Sequence, residues 1–460
     1  MENNESTLQI GFGQAEITPH VPVAMIGLYS LRKTQVVHTP LIAVAVAMAE
    51  QGSEPVYWVS CDLLYITEEL IKAVCGILSE KLPEFRREQL LLSATHIHTG
   101  PFLKHKMDST LLSFPLEFSD VLTPERYCLQ AAEGIASAVL KAVNDREPAV
   151  TARASADVAT GYCRRGVFED GTAKMYPDVH SPQFFHMEGC DGGPIKGVFV
   201  LRSKDNTLKG AIVDVPCPAQ ANVHTPYIHA DYWHYARNYV NERLGIPVLG
   251  LCGCAGDLSP RNLFDGEDTD AETRMIALGI RVGEAVERMS VSLSADETSL
   301  SHSFLTLQLP RWEPTPSQYQ KAKSVCKQLY RSYDFTAGQS PFHNKGFPKY
   351  LYSEAEVIVK RFEAEKKAVA VPIHALRLGK AVFLTNPFEC FTAYKDRIAE
   401  SIPELDIYDV QLTDDYHGYL PTKHSVYGGG YSACIYNGSC PPEAGDTLVE
   451  QSVKMAKKLF

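Results

Sequence analysis

The sequence predicts a mixed α/β fold, with β-sheets flanked by helices in a single large domain. Three observations carry that expectation. Segments with strand patterning and segments with helical periodicity mix along all 460 residues. Hydrophobic residues make up 45% of the chain, with glycine and proline spread along it, enough to bury a sizeable core. No repeat, low-complexity tract or clear linker divides it.

The first ~60 residues read as strands, and 41–50 and 55–66 are rich in β-branched and aromatic residues on either side of a glycine-containing turn. Residues 67–82 have helical periodicity with Thr67 as N-cap, and 89–98 return to strand. Residues 123–143 form a long amphipathic helix with proline in its first turn. A hairpin is expected over 196–215 around Asp205-Asn206. Then follow a helix (230–244), a short buried strand (246–253), a helix (270–289) and an alternating strand (299–310). Residues 316–368 read as mostly helical, broken by a mobile loop at 338–348. A strand over 380–387, a helix over 389–402 and a capping helix over 443–459 complete the chain.

The formal net charge is -11, which argues against nucleic acid or an anionic membrane as the main partner. No apolar run approaches the ~20 residues of a membrane helix, and the start MENNESTLQIGFGQAEITP lacks a basic and then apolar leader. The expectation is a cytoplasmic protein without stable membrane insertion. Twelve cysteines occur without any CxxC pair, which excludes a zinc ribbon or thioredoxin motif and leaves buried free thiols in a reducing compartment as the reading for most.

Five segments carry candidate chemistry. SATHIHTGP (93–101) is an H-x-H at the end of a strand that puts His96 and His98 on one face because side chains alternate, an arrangement for a metal ligand beside a proton carrier. Two histidines hydrogen-bonded at a strand end explain the same spacing. VDVPCPAQANVHTPYIHADYW (213–233) holds Cys217 between two prolines that would fix a thiolate rigidly, then His224, His229 and Asp231; a buried thiol beside a loop with solvated histidines explains the segment as well. LGLCGCAGDLSPRN (249–262) runs from a buried strand into a small-residue loop whose N–H groups suit an anion, with Ser259 as nucleophile or substrate hydrogen-bonder. The competing explanation makes Ser259 the N-cap and Pro260 the first residue of a short helix. TNPFECF (385–391) puts Glu389 at a strand end, where a first-turn helical glutamate is the plainer alternative. GYLPTKHSVYGGGYSA (418–433) offers Tyr427 and Tyr431 around three glycines. No GxSxG, HExxH or P-loop is present.

In this order, SATHIHTGP, CGCAGDLSPRN, TNPFECF and the Gly/Tyr-rich loop resemble the catalytic domain of the neutral (non-lysosomal) ceramidases. GFGQAEITP, MIGLYS, VVHTPL and WVSCDLL look like that family's opening strands, so the resemblance spans essentially the whole chain. It implies a hydrolase that binds one zinc ion through two His, one Glu and one Tyr and cleaves the amide of an N-acylsphingosine. His96 would be the first zinc ligand, His98 the neighbouring catalytic histidine and Ser259 the active-site serine. Glu389 would be the zinc carboxylate and Tyr431 the zinc tyrosine, with Tyr427 second. CRRG (163–166) points to Arg164, and His38 in VVHTPL matches another pocket histidine.

The departure lies at the second zinc histidine, where the family reads A-T-H-P-T and this chain V-P-C-P-A, so that Cys217 takes the ligand position. Thiolate is a good zinc ligand. His224 or His229 could serve instead, or the metal could be lost. Full ceramidases carry a further C-terminal β-sandwich domain, and the expectation here is the catalytic domain without it. The expected function is zinc-dependent hydrolysis of an amide, in an N-acylsphingosine or in a smaller soluble amide or ester. The alternative is a metal-free domain that binds a small ligand or a protein.

Overall fold

Strand alternation gives each sheet two apolar faces, and the chain buries all of them by stacking four layers. The computed structural model describes residues 8–30, 32–107, 113–114, 120–265, 270–296, 298–333 and 346–460. The larger sheet has the strand order Val248–Cys252, Leu208–Val215, Ile195–Arg202, Glu147–Ala156, Leu8–Glu16, Ile42–Glu50, Val56–Cys61, Leu90–Ala94. Its outermost pair at each edge is parallel and the interior pairs are antiparallel. A second sheet orders Leu300–Leu309, Val369–Leu378, Ala381–Thr385, Asp406–Val410, the last pair parallel.

One face of the larger sheet, with Ala43, Ala45, Val59 and Leu92, packs on the helices Glu68–Lys81, Pro124–Asn144, Tyr232–Leu244 and Ala271–Ser290 through Leu70, Tyr127, Trp233 and Met275. The opposite face, with Val44, Val46, Trp58 and Leu249, meets Leu376, Phe383 and Tyr408 of the smaller sheet. Trp58 stands edge-on to Phe383 at 5.0 Å between ring centroids. The outer face of the smaller sheet, with Val371, Ile373 and Leu384, is closed by Tyr394, Leu448 and Met455 of the helices Thr392–Ser401 and Glu443–Lys457. The helix Pro124–Asn144 lies very close to the first strand: a Cβ on Gly13 would stand 2.2 Å from the Ala138 carbonyl oxygen, so glycine is required there.

The three parallel pairs of these two sheets decide where chemistry can collect. Each is joined by a crossover helix, so the chain emerges at the carboxyl ends of strands, where α/β proteins place their sites. Single bridges Ser93 to Thr413 and Gly253 to Val410 bring those ends of the two sheets together. The segments after Ala94, Val215, Cys252, Thr385 and Val410 are the ones in which the sequence motifs stand.

Several expectations match closely, including the Thr67 cap, which accepts from the Leu70 N–H, and the hairpin with Asn206 at φ 55°. Three local expectations are corrected. The strand predicted over 89–98 ends at Ala94, so His96 and His98 lie in a loop and strand alternation does not pair them. The helix predicted from 389 begins at Thr392, and Glu389–Cys390 is a short strand paired with Tyr419–Leu420. No helix starts at Ser259, which lies in the short strand Leu258–Ser259. The break predicted at 338–348 falls mostly outside the described residues. Eight of the twelve cysteines are buried and all twelve are free thiols. Among the described residues no helix is long and apolar enough to cross a membrane.

Candidate functional site

His96 is placed by its backbone. Its N–H donates to the Leu63 carbonyl at 3.0 Å, and its φ of 67°, uncommon for a non-glycine residue, turns the ring away from the direction of the preceding strand. The ring Nδ1 contacts the Leu64 carbonyl at 2.8 Å. A carbonyl can only accept, so Nδ1 carries the proton and Nε2 is free for chemistry. That Nε2 stands 3.3 Å from Glu389 Oε2.

His98 repeats the arrangement. Its Nδ1 donates to the Gly27 carbonyl at 2.8 Å, and its buried Nε2 has no hydrogen-bond partner. Burial pushes the imidazole down to about 3, so the ring is neutral at ordinary pH. The two rings meet edge to face at 4.8 Å. Gly27, at φ 109°, lets the backbones touch: a Cβ there would stand 2.7 Å from His98 Cα. On the other side Arg32, not singled out by the sequence, donates to the carbonyls of Ile26 (2.7 Å), His98 (2.6 Å) and Val223 (2.8 Å).

Glu389 is buried, and its N–H donates to the Gly418 carbonyl at 2.8 Å. Oε1 accepts from the Tyr416 hydroxyl at 2.8 Å, and Oε2 lies 3.9 Å from Arg164 Nη2. Burial alone would raise this carboxyl; His96, Arg164 and a hydrogen bond with Tyr419 outweigh it and hold it down to about 2.

Arg164 enters from the strand Tyr162–Cys163, which pairs with Leu258–Ser259. Its guanidinium donates to the Gly256 carbonyl (2.9 Å), Tyr419 (3.3 Å) and Tyr176 (3.2 Å), and its Nε has no partner. Gly256 packs directly on Glu389: a Cβ would stand 2.3 Å from the Glu389 carbonyl oxygen. Asp257 fastens the same loop by accepting from the Thr392 N–H and hydroxyl, both at 2.9 Å.

Ser259 is 2% exposed; its hydroxyl oxygen accepts from the Arg261 N–H at 3.2 Å. Tyr431 lies among aromatic rings, 6.0 Å from Tyr419 and 6.2 Å from Tyr29 and Tyr350, and donates to the Tyr29 hydroxyl at 3.5 Å. Tyr427 is 89% exposed, so of the two sequence candidates Tyr431 is the one turned inward. His38 is exposed, its ring against Tyr227 at 5.0 Å. His224 is exposed too, and both ring nitrogens of His229 are engaged, with Thr225 and the Asp231 N–H.

Cys217 is fully buried in the apolar cluster, and its thiol donates to the Pro218 carbonyl at 3.6 Å. Burial pushes this thiol well above its ordinary range, so as placed it is neutral. Among the described residues no hydrogen bond or ion pair joins it to His96 or Glu389, and no group of three His, Cys, Asp or Glu side chains is arranged to hold a metal ion. The pair His96 and Glu389 does suit a cation. A lone pair on Nε2 facing a carboxylate oxygen is repulsive unless a proton or metal lies between, and 3.3 Å is about the spacing of two zinc ligands each ~2 Å from the ion. An Nδ1–H held by a backbone carbonyl is also what metal-binding histidines display.

Sequence reasoning missed Arg32, Tyr416 and Tyr419. Arg32 and Tyr416 stand in no motif; Tyr419 lies within the 418–433 segment, where the sequence singles out Tyr427 and Tyr431 instead, and each of the three acts on residues distant in the chain.

No protein-family model and no curated protein matches the chain. Solved structures do, two of ceramidases among them. "Crystal Structure Analysis of neutral ceramidase from Pseudomonas aeruginosa" is 17% identical, with a TM-score of 0.73 over 99% of this chain and 75% of that one. "Ceramidase complexed with C2" is 18% identical, with a TM-score of 0.72 over 98% of this chain and 75% of that one. The chain therefore has the fold of a neutral-ceramidase-like domain along essentially its whole length.

Proposed function

We propose that this chain is a ceramidase-like hydrolase that cleaves an N-acyl amide bond at the cluster of His96, His98, Arg164 and Glu389. The observation that carries the reading is the 3.3 Å approach of His96 Nε2 to Glu389 Oε2, with His98 Nε2 unpartnered beside it. The likeness to two ceramidase structures supports the same reaction class and a lipid-like substrate. A smaller soluble amide or ester is the other substrate consistent with the site's burial.

The roles follow from the geometry. His98, neutral and with Nε2 bare, is the group to take a proton from the attacking nucleophile and pass it to the leaving nitrogen. Arg164 supplies fixed positive charge beside Glu389, suited to the developing oxyanion. Ser259 serves as nucleophile or as a hydrogen-bond donor to that oxyanion. A zinc ion held by His96 and Glu389, with Tyr431 and Cys217 completing the proposed set, would polarise the carbonyl and lower the pKa of water.

A second reading, a metal-free ligand-binding module, draws on one observation: the Cys217 thiol is engaged inside the apolar cluster. Metal content of the purified protein, together with turnover of a panel of N-acyl amides from short to long chains, separates the two. Bound zinc with turnover supports the hydrolase; neither leaves the binding module.

A further inference from the structure

One buried cation beside the site has no part in this chemistry. Arg165 follows Arg164 and has no exposed surface. Successive side chains of an extended chain leave opposite faces. Arg164 accordingly reaches Glu389, while Arg165 runs into the glycine loop between the helix Lys423–Gly428 and the turn Tyr431–Ala433.

Its contacts there fill the guanidinium fork. Nη2 donates to the Gly429 carbonyl at 2.8 Å and to the Ser425 carbonyl at 3.3 Å, and Nη1 donates to the Ser432 hydroxyl at 3.1 Å. Nε and Nη2 stand 2.9 and 2.7 Å from Glu188 Oε2, and the cation lies 5.6 Å from the Phe391 ring centroid. Gly429 and Gly430 both have positive φ, 76° and 91°, and a Cβ on Gly430 would stand 3.2 Å from Arg165 Nη1 and 2.7 Å from the Ala173 carbonyl oxygen. The loop is thus bent tightly around this one guanidinium, and its next residue is Tyr431.

We infer that Arg165 is a positioning residue: it clamps the glycine loop so that Tyr431 is held against Tyr419 beside Glu389. The two arginines act from opposite sides of one extended segment, Arg164 on the carboxylate and Tyr419, Arg165 on the segment that delivers Tyr431. Lysine would not replace it, because a single ammonium lacks the planar fork that serves four acceptors at once. The inference rests on Tyr431 belonging to the site of the proposed hydrolase.

The test uses the full-length protein with 3-fluorotyrosine at position 431 and the variants Arg165→Lys, Arg165→Gln and Glu188→Gln. Fluorine NMR reads the surroundings of Tyr431, and amide hydrogen exchange reads the loop. In Arg165→Gln, exchange over 425–434 should rise at least about tenfold while the central strands keep their protection, and the fluorine signal should shift or broaden. Arg165→Lys should give the same changes at smaller amplitude, and Glu188→Gln, which keeps the fork, smaller still. On an N-acyl substrate kcat should fall about tenfold or more with KM within about threefold, as for a group that acts through another. The inference is overturned if loop exchange and the fluorine signal stay as in the parent, or if exchange rises evenly through the chain, which would make Arg165 a general scaffold residue. If Arg165→Gln does not fold, Glu188→Gln decides by the same two readings. A parent protein that turns over no amide counts against the hydrolase and leaves both spectroscopic readings valid.

Discussion

Glu389 accepts a hydrogen bond from Tyr416 through Oε1 and faces His96 Nε2 at 3.3 Å through Oε2. The two oxygens of one buried carboxylate are thus divided between a phenol that orients it and a histidine that shares its reactive side. Because His96 and Glu389 come from the first and last quarters of the chain, only the joined ends of the two sheets bring them together.

Ser259→Ala separates a catalytic serine from a structural one. Its hydroxyl oxygen accepts one backbone hydrogen bond and caps no helix. Its loss should cost about 1 kcal/mol of stability. Loss of a nucleophile or oxyanion donor should lower turnover by about 100-fold or more. Thermal melts and kcat on the same protein check this; full turnover would remove Ser259 from the mechanism.

Asp214 predicts a pH dependence of stability. Burial raises its carboxyl to about 7 against the opposing charges of Lys196 and Lys395, and its Oδ1 has no partner. Between the ordinary value near ~4 and 7 the folded chain holds a proton that the unfolded chain has released. Stability from this group is therefore fully present below about 4 and is lost as pH rises through 7. Asp409, raised to about 6, adds to the same slope. Asp214→Asn should gain on the parent by on the order of 1–3 kcal/mol between pH 4.5 and 7.5. Denaturant curves that stay parallel across that range would contradict the assignment.

Cys217 is where the sequence departs from the ceramidase pattern. If it is a zinc ligand, Cys217→Ser should lower zinc content sharply, Cys217→His should preserve it, and zinc affinity should fall steeply on acidification because a ligand thiol must shed its proton. Metal analysis after dialysis reads all three. Zinc content unchanged in Cys217→Ser would leave the thiol a packing group.

Legibility followed the range of the interactions. The helix Glu68–Lys81 and the hairpin around Asn206 are set by local caps and turns and read directly from sequence. The strands Glu147–Ala156, Val369–Leu378 and Asp406–Val410 did not, because their pairing partners lie far along the chain. The motifs single out His96, His98, Glu389 and Arg164, but they do not show how the histidine pair forms: a loop at positive φ, not strand alternation, brings the rings together. Arg32 and Tyr416 carried no local signal, since each is defined by an acceptor brought near only by folding.

Amide cleavage at the His96–Glu389 pair is tested most directly by turnover of N-acyl amides of graded chain length, with release of free amine and carboxylate followed for the parent, His96→Ala and Glu389→Gln. The parent should hydrolyse at least one member of the panel, and each variant should lose about 100-fold or more in kcat/KM with its fold intact by circular dichroism. Hydrolysis retained in both variants, or none by the zinc-supplied parent across the panel, would contradict the account.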